Sequence, residues 1–241
     1  DTAWDKCAAV VERSYRIPHI QHVPLEPHIA ISKVDEKGEV TLWTSSQSPF
    51  AQRNLIAQSL GLSQSDMRVI SPAVGGGFGG KAGVSMESLA VAIAMKVKGH
   101  PVKGRLTREE EFYTAFVRQG LVSHFKMGCD KNGKLLAMEN SFYWDGGAYT
   151  EYGVNIARAA GYSCTGPYEV PNVKGDSYCV YTNHPVGGPM RGFGMPEMHA
   201  GLEQCMDELA QQIGMDAVEF RKLNCLKTDS ILATGGKMHP I

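Results

Sequence analysis

The stretch that most restricts how this chain can fold is Val74-Gly-Gly-Gly-Phe-Gly-Gly-Lys81, in which five of eight residues are glycine. So dense a run brings backbone where side chains would collide, or bends it into conformations that side chains forbid. Met67-Arg-Val-Ile-Ser71 before it reads as a buried strand, and Ser85 to Val97 after it reads as a helix capped by Ser85, with Met86, Leu89, Ala90, Ile93 and Val97 on one face. Free N–H groups at a strand-to-helix turn are a usual place to hold an anion. Gly75, Gly77 and Gly80 satisfy G-x-G-x-x-G, while Gly75, Gly80 and Lys81 satisfy G-x-x-x-x-G-K. The second match lacks the hydroxyl that would bind magnesium, since Ala82 follows the lysine. The first lacks a ribose-binding acid about 20 residues on, where Gly99-His-Pro-Val-Lys103 is neutral and basic. Both nucleotide readings are weak on context. A backbone cradle for another phosphorylated or polar cofactor is the better reading, and a tight turn without a ligand is its alternative.

At 241 residues the chain can bury the core of one large domain or two small ones. Its 24 basic and 25 acidic residues leave no net field to attract nucleic acid or an anionic membrane. No apolar run approaches the roughly 20 residues that span a bilayer. The six cysteines (Cys7, Cys129, Cys164, Cys179, Cys205 and Cys225) form no C-x-x-C pair. That spacing points to reduced thiols in the cytoplasm and away from an iron–sulfur or zinc site within the chain. The chain opens on Asp1 and closes on Lys237-Met-His-Pro-Ile241, which reads as a piece of something longer.

In order, Ala8 to Ile17 is a strand that leads into the proline-rich His19-to-His28 segment. Here His19, His22, Glu26 and His28 lack the helical spacing of a metal site and read instead as polar groups positioning an extended segment. Ile29 to Val34 and Glu39 to Thr44 form a hairpin about Asp35-Glu-Lys-Gly38. Ser48-Pro49 opens a helix with Phe50, Leu55, Ile56 and Leu60 inward, and Gly61 stops it. Val102 to Leu106 is a strand, and Thr107 with Glu110 forms a capping box for the next helix. Leu121 to Gly128 and Lys134 to Trp144 make a second hairpin, Thr150 to Ala160 a helix carrying Arg158, and Lys174 to Tyr181 a strand. A second glycine loop follows, Gly187-Gly-Pro-Met-Arg-Gly-Phe-Gly194, and its Arg191 suits an oxyanion. Pro196 begins a helix with Met198, Leu202, Cys205, Leu209 and Ile213 on one face, and Asp216 caps a last one. Hairpins mixed with helices predict an α+β fold, as one domain over 1–241 or as two α+β subdomains divided near 115–150.

Four motifs recur in order: Val-Gly-Gly-Gly-Phe-Gly-Gly-Lys81, Thr-Arg-Glu-Glu-Glu-Phe112, Gly-Pro-Tyr-Glu-Val-Pro-Asn172 and Met-Arg-Gly-Phe-Gly-Met-Pro-Glu197. Together they resemble the molybdopterin-binding subunit of the xanthine dehydrogenase and aldehyde oxidase family, over nearly the whole chain. The resemblance implies a molybdenum hydroxylase that places water-derived oxygen on an electron-poor carbon. Its electrons would leave through iron–sulfur clusters and FAD on partner domains or subunits. It puts Gly77, Phe78 and Gly79 under the molybdenum and pterin, Arg191 beside the cofactor, Phe193 against a flat substrate, and the cytosine dinucleotide form of the pterin as the usual bacterial choice. Xanthine dehydrogenases of the family carry a glutamate where this chain has Ala82, which turns the expectation from purines to an aldehyde, an N-heteroaromatic or an aromatic thioester. The family's glutamine facing the metal's oxygen has Gln21 as its nearest candidate, one residue out of register. Arg158 lies near the family's substrate-orienting arginine in an alignment that needs a gap, with a surface helix charge as the alternative. The family's catalytic glutamate belongs to a region beyond this chain, so no catalytic residue and no metal-binding residue is assigned here, and the remaining molybdopterin-binding domain is an expected partner.

Overall fold

The computed structural model describes residues 2–149 and 151–240, which form two compact units. The first comprises 2–18, 119–182 (without 150) and 192–240, and the second comprises 19–118 and 183–191. The strands are β1 (Ala9–Ile17), β2 (Ile20–Gln21), β3 (Ile29–Val34), β4 (Val40–Thr44), β5 (Met67–Ile70), β6 (Val102–Arg105), β7 (Val117–Arg118), β8 (Gly120–Cys129), β9 (Leu135–Gly147), β10 (Asn172–Tyr181) and β11 (Gly187–Gly188). The helices are α1 (Pro49–Leu60), α2 (Glu87–Ala94), α3 (Arg108–Thr114), α4 (Gly153–Tyr162), α5 (Met195–Gln212) and α6 (Ala217–Asn224). The fold is α+β.

In the first unit the sheet runs β1-β8-β9-β10, antiparallel except for the parallel β9–β10 pair. The β8–β9 hairpin turns where Asp130 Oδ1 accepts the amides of Asn132 and Lys134, with Gly133 at φ +85°. Helix α5 lays the predicted face onto the sheet: Met198, Leu202, Cys205 and Leu209 are buried with Phe125, Phe142 and Trp144. Each such side chain removed from water contributes about 1.5–3 kcal/mol. Asp216 caps α6 through the Val218 and Glu219 amides. Helix α4 starts at Gly153, later than its sequence pattern indicated; Thr150, its expected first residue, lies outside the described residues.

In the second unit a four-stranded sheet runs β5-β4-β3-β6, with β4 and β5 parallel, and a three-stranded sheet runs β11-β7-β2. The β3–β4 hairpin repeats the Asp device, Asp35 Oδ1 accepting from Lys37 and Glu39. The capping box of α3 forms as expected.

Two helix readings change. Ser48 makes no side-chain cap for α1, and the helix buries Gln52, Ile56 and Ala57 while Phe50 and Leu55 are exposed. Helix α2 is shorter than Ser85 to Val97, is not capped by Ser85, and buries Glu87, Ala90, Val91 and Ala94. Leu89, Ile93 and Val97 face outward. The cause is Glu87, whose carboxylate accepts from the Ser85 amide, Thr44 Oγ1 and Gln52 Nε2; satisfying that buried acid turns the helix by about one position. Strand β5 is an edge strand, not an interior one: beyond Met67, Arg68 is exposed and Val69 and Ile70 are half-buried.

Candidate functional site

The site is built from the parallel pairing of β4 with β5. Because the two strands run the same way, both C-terminal ends open at one edge, and their following loops leave side by side. Ser71 Oγ, directly after β5, donates to the Ser46 carbonyl and accepts the Ser46 amide, tying the loops at their roots. One residue further on, Gln47 meets the glycine loop: its Oε1 accepts the Gly79 amide at 2.8 Å and the Lys81 amide at 3.3 Å, while its own amide donates to the Lys81 carbonyl. A β-carbon on Gly77 would lie 2.4 Å from that same Oε1, so a side chain there would push the Gln47 carboxamide off the loop.

The second glycine loop arrives beside the first. Strand β11 pairs in parallel with β7, and the Arg191 amide donates to the Phe78 carbonyl at 2.9 Å. Gly79 sits at φ +107° with Pro189 so close that a β-carbon would stand 2.2 Å from the Pro189 carbonyl oxygen. Between its glycine neighbours Phe78 is held at φ +54°, a conformation costly for any residue with a β-carbon, and the residue is 48% exposed. The first loop's amides are not all free, as the sequence reading had them: Gly75 donates to Glu26 Oε2, Gly79 and Lys81 to Gln47, and Gly80 to the Gly77 carbonyl. The amides of Gly76, Gly77 and Phe78 have no acceptor among the described residues.

Lys81 is not available to a phosphate. Its side chain is fully buried, with Nζ 2.7 Å from Glu26 Oε2 and 2.8 Å from the Glu26 carbonyl. Burial alone would raise the Glu26 pKa, but the Lys81 hydrogen bond, the Gly75 amide and the Ser45 hydroxyl hold it below the ordinary carboxylate range. The phosphate-loop alternative therefore loses its lysine.

The His19-to-His28 segment runs beneath both loops, and His22, Glu26 and His28 each reach a different part of them. His22 Nε2 donates to the Pro189 carbonyl at 2.7 Å, and burial pushes its pKa down, so the ring is neutral. Glu26 takes Lys81, and His28 lies between Glu111 and the Gly80 carbonyl. Gln21 is a brace rather than a group facing the loop: Oε1 accepts the Val23 amide at 2.7 Å, and Nε2 donates to the Glu111 and Phe116 carbonyls. It secures Val23 at φ +49°, an unusual conformation for a β-branched residue, and so sets the turn that carries Pro24 against Gly76. Arg118, which sequence reading passed over, is buried and donates Nη2 to the Arg191 carbonyl.

Ala82 is half-buried, its amide donating to Gly79. The Arg191 side chain is exposed. Phe193 belongs to the first unit, at φ +55° and edge-on to Tyr152. Arg158 stands on the exposed side of α4, bonded to Asn155, as a surface helix charge would be.

Residues 1–225 match the family described as "Molybdopterin cofactor-binding domain". The chain belongs to that family. It is 37% identical over 235 residues to the nicotinate dehydrogenase large molybdopterin subunit of Eubacterium barkeri, an alignment covering 98% of this chain and 55% of that protein. It is 33% identical to the putative xanthine dehydrogenase molybdenum-binding subunit XdhA of Escherichia coli, covering 94% of this chain and 30% of that one. Its fold superimposes on the aldehyde oxidoreductase of Desulfovibrio gigas with a TM-score of 0.94 at 28% identity, covering 98% of this chain and 26% of that one. The chain thus spans about half the length, or less, of these relatives. The residues present suit a polar cofactor of this kind: three unsatisfied amides at Gly76 to Phe78, a backbone cleared of side chains at Gly77 and Gly79, and the exposed Arg191 beside them. No helix among the described residues is long and apolar enough to cross a membrane.

Proposed function

We propose that this chain supplies one wall of the molybdenum site in a molybdopterin-dependent hydroxylase. Molybdenum on its pterin, when bound, supplies the transfer of a water-derived oxygen to an electron-poor carbon and takes up two electrons. This chain's residues do the holding. The amides of Gly76, Gly77 and Phe78 are the free donors for the cofactor's oxygens. Arg191 offers its guanidinium to an anionic part of the pterin, in the dinucleotide form if the enzyme uses it, and Phe78 covers the approach. The observation that carries the reading is the Arg191–Phe78 hydrogen bond, because it joins two glycine loops that are far apart in sequence into one surface. Phe193 and Ala82 are the substrate-side residues of this reading, with iron–sulfur and flavin domains or subunits, and the rest of the molybdopterin-binding region, as partners. The six free cysteines favour a reducing, cytoplasmic setting.

For the substrate we favour an N-heteroaromatic ring over a purine, with aldehydes and aromatic thioesters as the other classes to be tried. Ala82 leaves no carboxylate after Lys81, and the relative at 37% identity is named for nicotinate. Oxidation of nicotinate-like rings, aldehydes and xanthine by the complete enzyme, with labelled water as the oxygen source, tests this; a labelled product formed from xanthine alone would overturn it. The 241 residues by themselves are expected to hold no stoichiometric molybdenum by elemental analysis, since the relatives use a chain at least nearly twice as long. Arg191→Ala in the complete enzyme should lower molybdenum content; unchanged content and activity would favour a purely assembling role.

For the glutamine that faces the cofactor this reading takes Gln47 in place of Gln21, because both ends of the Gln21 carboxamide are bonded to backbone. With Gln47 Oε1 occupied by two loop amides, its Nε2 is the donor left to face the cofactor. Gln47→Ala is expected to lower kcat by about 100- to 1000-fold, the range for losing one preorganised donor. Gln21→Ala should lower the melting temperature and leave kcat per bound molybdenum nearly unchanged; the reverse pattern would restore Gln21.

A further inference from the structure

His28 is 3% exposed and Glu111 is fully buried, yet both are titratable. The His28 ring has an acceptor at each nitrogen: Glu111 Oε1 at 2.9 Å from Nδ1, and the Gly80 carbonyl at 3.0 Å from Nε2. The His28 backbone amide donates to the same Glu111 oxygen. A carbonyl only accepts, so Nε2 must carry a hydrogen, and an ionised carboxylate only accepts, so Nδ1 must carry one too. The ring makes both contacts only as an imidazolium. The Gly80 amide donates to the Gly77 carbonyl at 2.8 Å, so Gly80 is held on both sides, by His28 at its carbonyl and by the residue before Phe78 at its N–H.

We propose that His28 is a positioning residue for the glycine loop: as an imidazolium it clamps the Gly80 carbonyl to Glu111, and on losing its second proton it releases one end of the clamp. The groups that face it agree with this. Burial opposes the charged ring, whereas Glu111 from α3, Glu87 from α2 and the Gly80 carbonyl favour it, and the neighbouring His22 is neutral; the net direction for His28 is upward. Glu111, with Arg108 near it, is shifted downward against its own burial and stays ionised. A group whose folded pKa is raised stabilises the fold below its ordinary pKa and loses that contribution as pH climbs through the raised value. The Glu111 contribution is present above the ordinary carboxylate pKa and is lost as pH falls through its depressed value. The clamp is therefore closed between those two limits.

The consequence for molybdenum rests on the function proposed above, whereas the clamp does not, and two readouts on the complete enzyme separate them. Hydrogen exchange of the peptide spanning Gly77 to Ala82, corrected for intrinsic rates, is followed from below the ordinary histidine pKa of about 6.5 to about two units above it. The wild-type loop is expected to exchange about tenfold faster at the upper end. Glu111→Gln should move the midpoint to lower pH, and His28→Gln should remove the pH dependence. Molybdenum content after gel filtration, measured in the same samples, should fall with loop protection. A flat wild-type profile, or a His28→Gln profile that matches wild type, overturns the clamp. If His28→Gln does not fold, the Glu111→Gln midpoint decides, and an unmoved midpoint overturns it. A loop that responds as expected in an enzyme without molybdenum at any pH would sustain the clamp and overturn the cofactor reading instead.

Discussion

Gly79→Ala in the complete enzyme is expected to abolish molybdenum retention and to lower the melting temperature by several degrees. At φ +107° the new side chain alone costs about 1–3 kcal/mol. The larger effect is contact. The added carbon would stand 2.2 Å from the Pro189 carbonyl oxygen and 2.7 Å from its carbon, and backbone atoms cannot rotate aside as a side chain can. The two loops must then part, which breaks the Arg191–Phe78 hydrogen bond and takes the joined surface with it. At roughly 2–4 °C per kcal/mol for a chain of this size, calorimetry resolves the change easily. Gly61→Ala is the matched control, since it has φ +67° with nothing within 4 Å of the added carbon. It should cost about 1 kcal/mol and leave molybdenum content as it was. Equal molybdenum loss in both variants would show that the contact with Pro189 is not what matters.

Glu26→Ala is expected to destabilise the chain more than Lys81→Met, although the two substitutions remove the same ion pair. The Lys81 side chain has no exposure while that of Glu26 has 31%. Removing Glu26 leaves an ammonium in the interior with a single carbonyl for company, a loss of about 3–5 kcal/mol for a broken buried pair. Removing Lys81 leaves a carboxylate that water can reach and that still accepts the Gly75 amide. Chemical denaturation of the two variants checks the order, and a larger loss in Lys81→Met would contradict the placement of the charge. The Glu26 pKa is depressed, so its share of stability is present above the ordinary carboxylate pKa and disappears as pH falls through the depressed value. Acid-induced unfolding of Glu26→Ala should accordingly lack that component.

The errors of sequence reading share one physical origin. Hydrophobic periodicity reports which face of a helix is apolar, and in α5 that face is the buried one. In α2 the buried face is decided by Glu87, an acid held by Thr44, Gln52 and the Ser85 amide, none of which a hydrophobic pattern registers. Gln47, the glutamine of the proposed function, sits in a short polar connection between a strand and the proline that opens α1, where polar residues are expected. Its signal was the parallel pairing of β4 with β5, which only tertiary contact reveals. Gln21 attracted attention through its position along the chain, and its carboxamide proved to be committed to the backbone of Val23, Glu111 and Phe116.

By itself the sequence determined the local geometry: two hairpins turned by Asp and Gly, the capping box at Thr107, the strong face of α5, and two Gly-Phe-Gly loops whose backbones must go where side chains cannot. These follow from interactions within a few residues, which spacing encodes. Tertiary structure alone decided that Arg191 meets Phe78, that Lys81 is buried on Glu26, and that His28 lies between Glu111 and the Gly80 carbonyl. Those contacts join residues far apart along the chain. Their partners are chosen by which strand ends open at the same edge, a property of the assembled sheets that no short stretch of sequence contains.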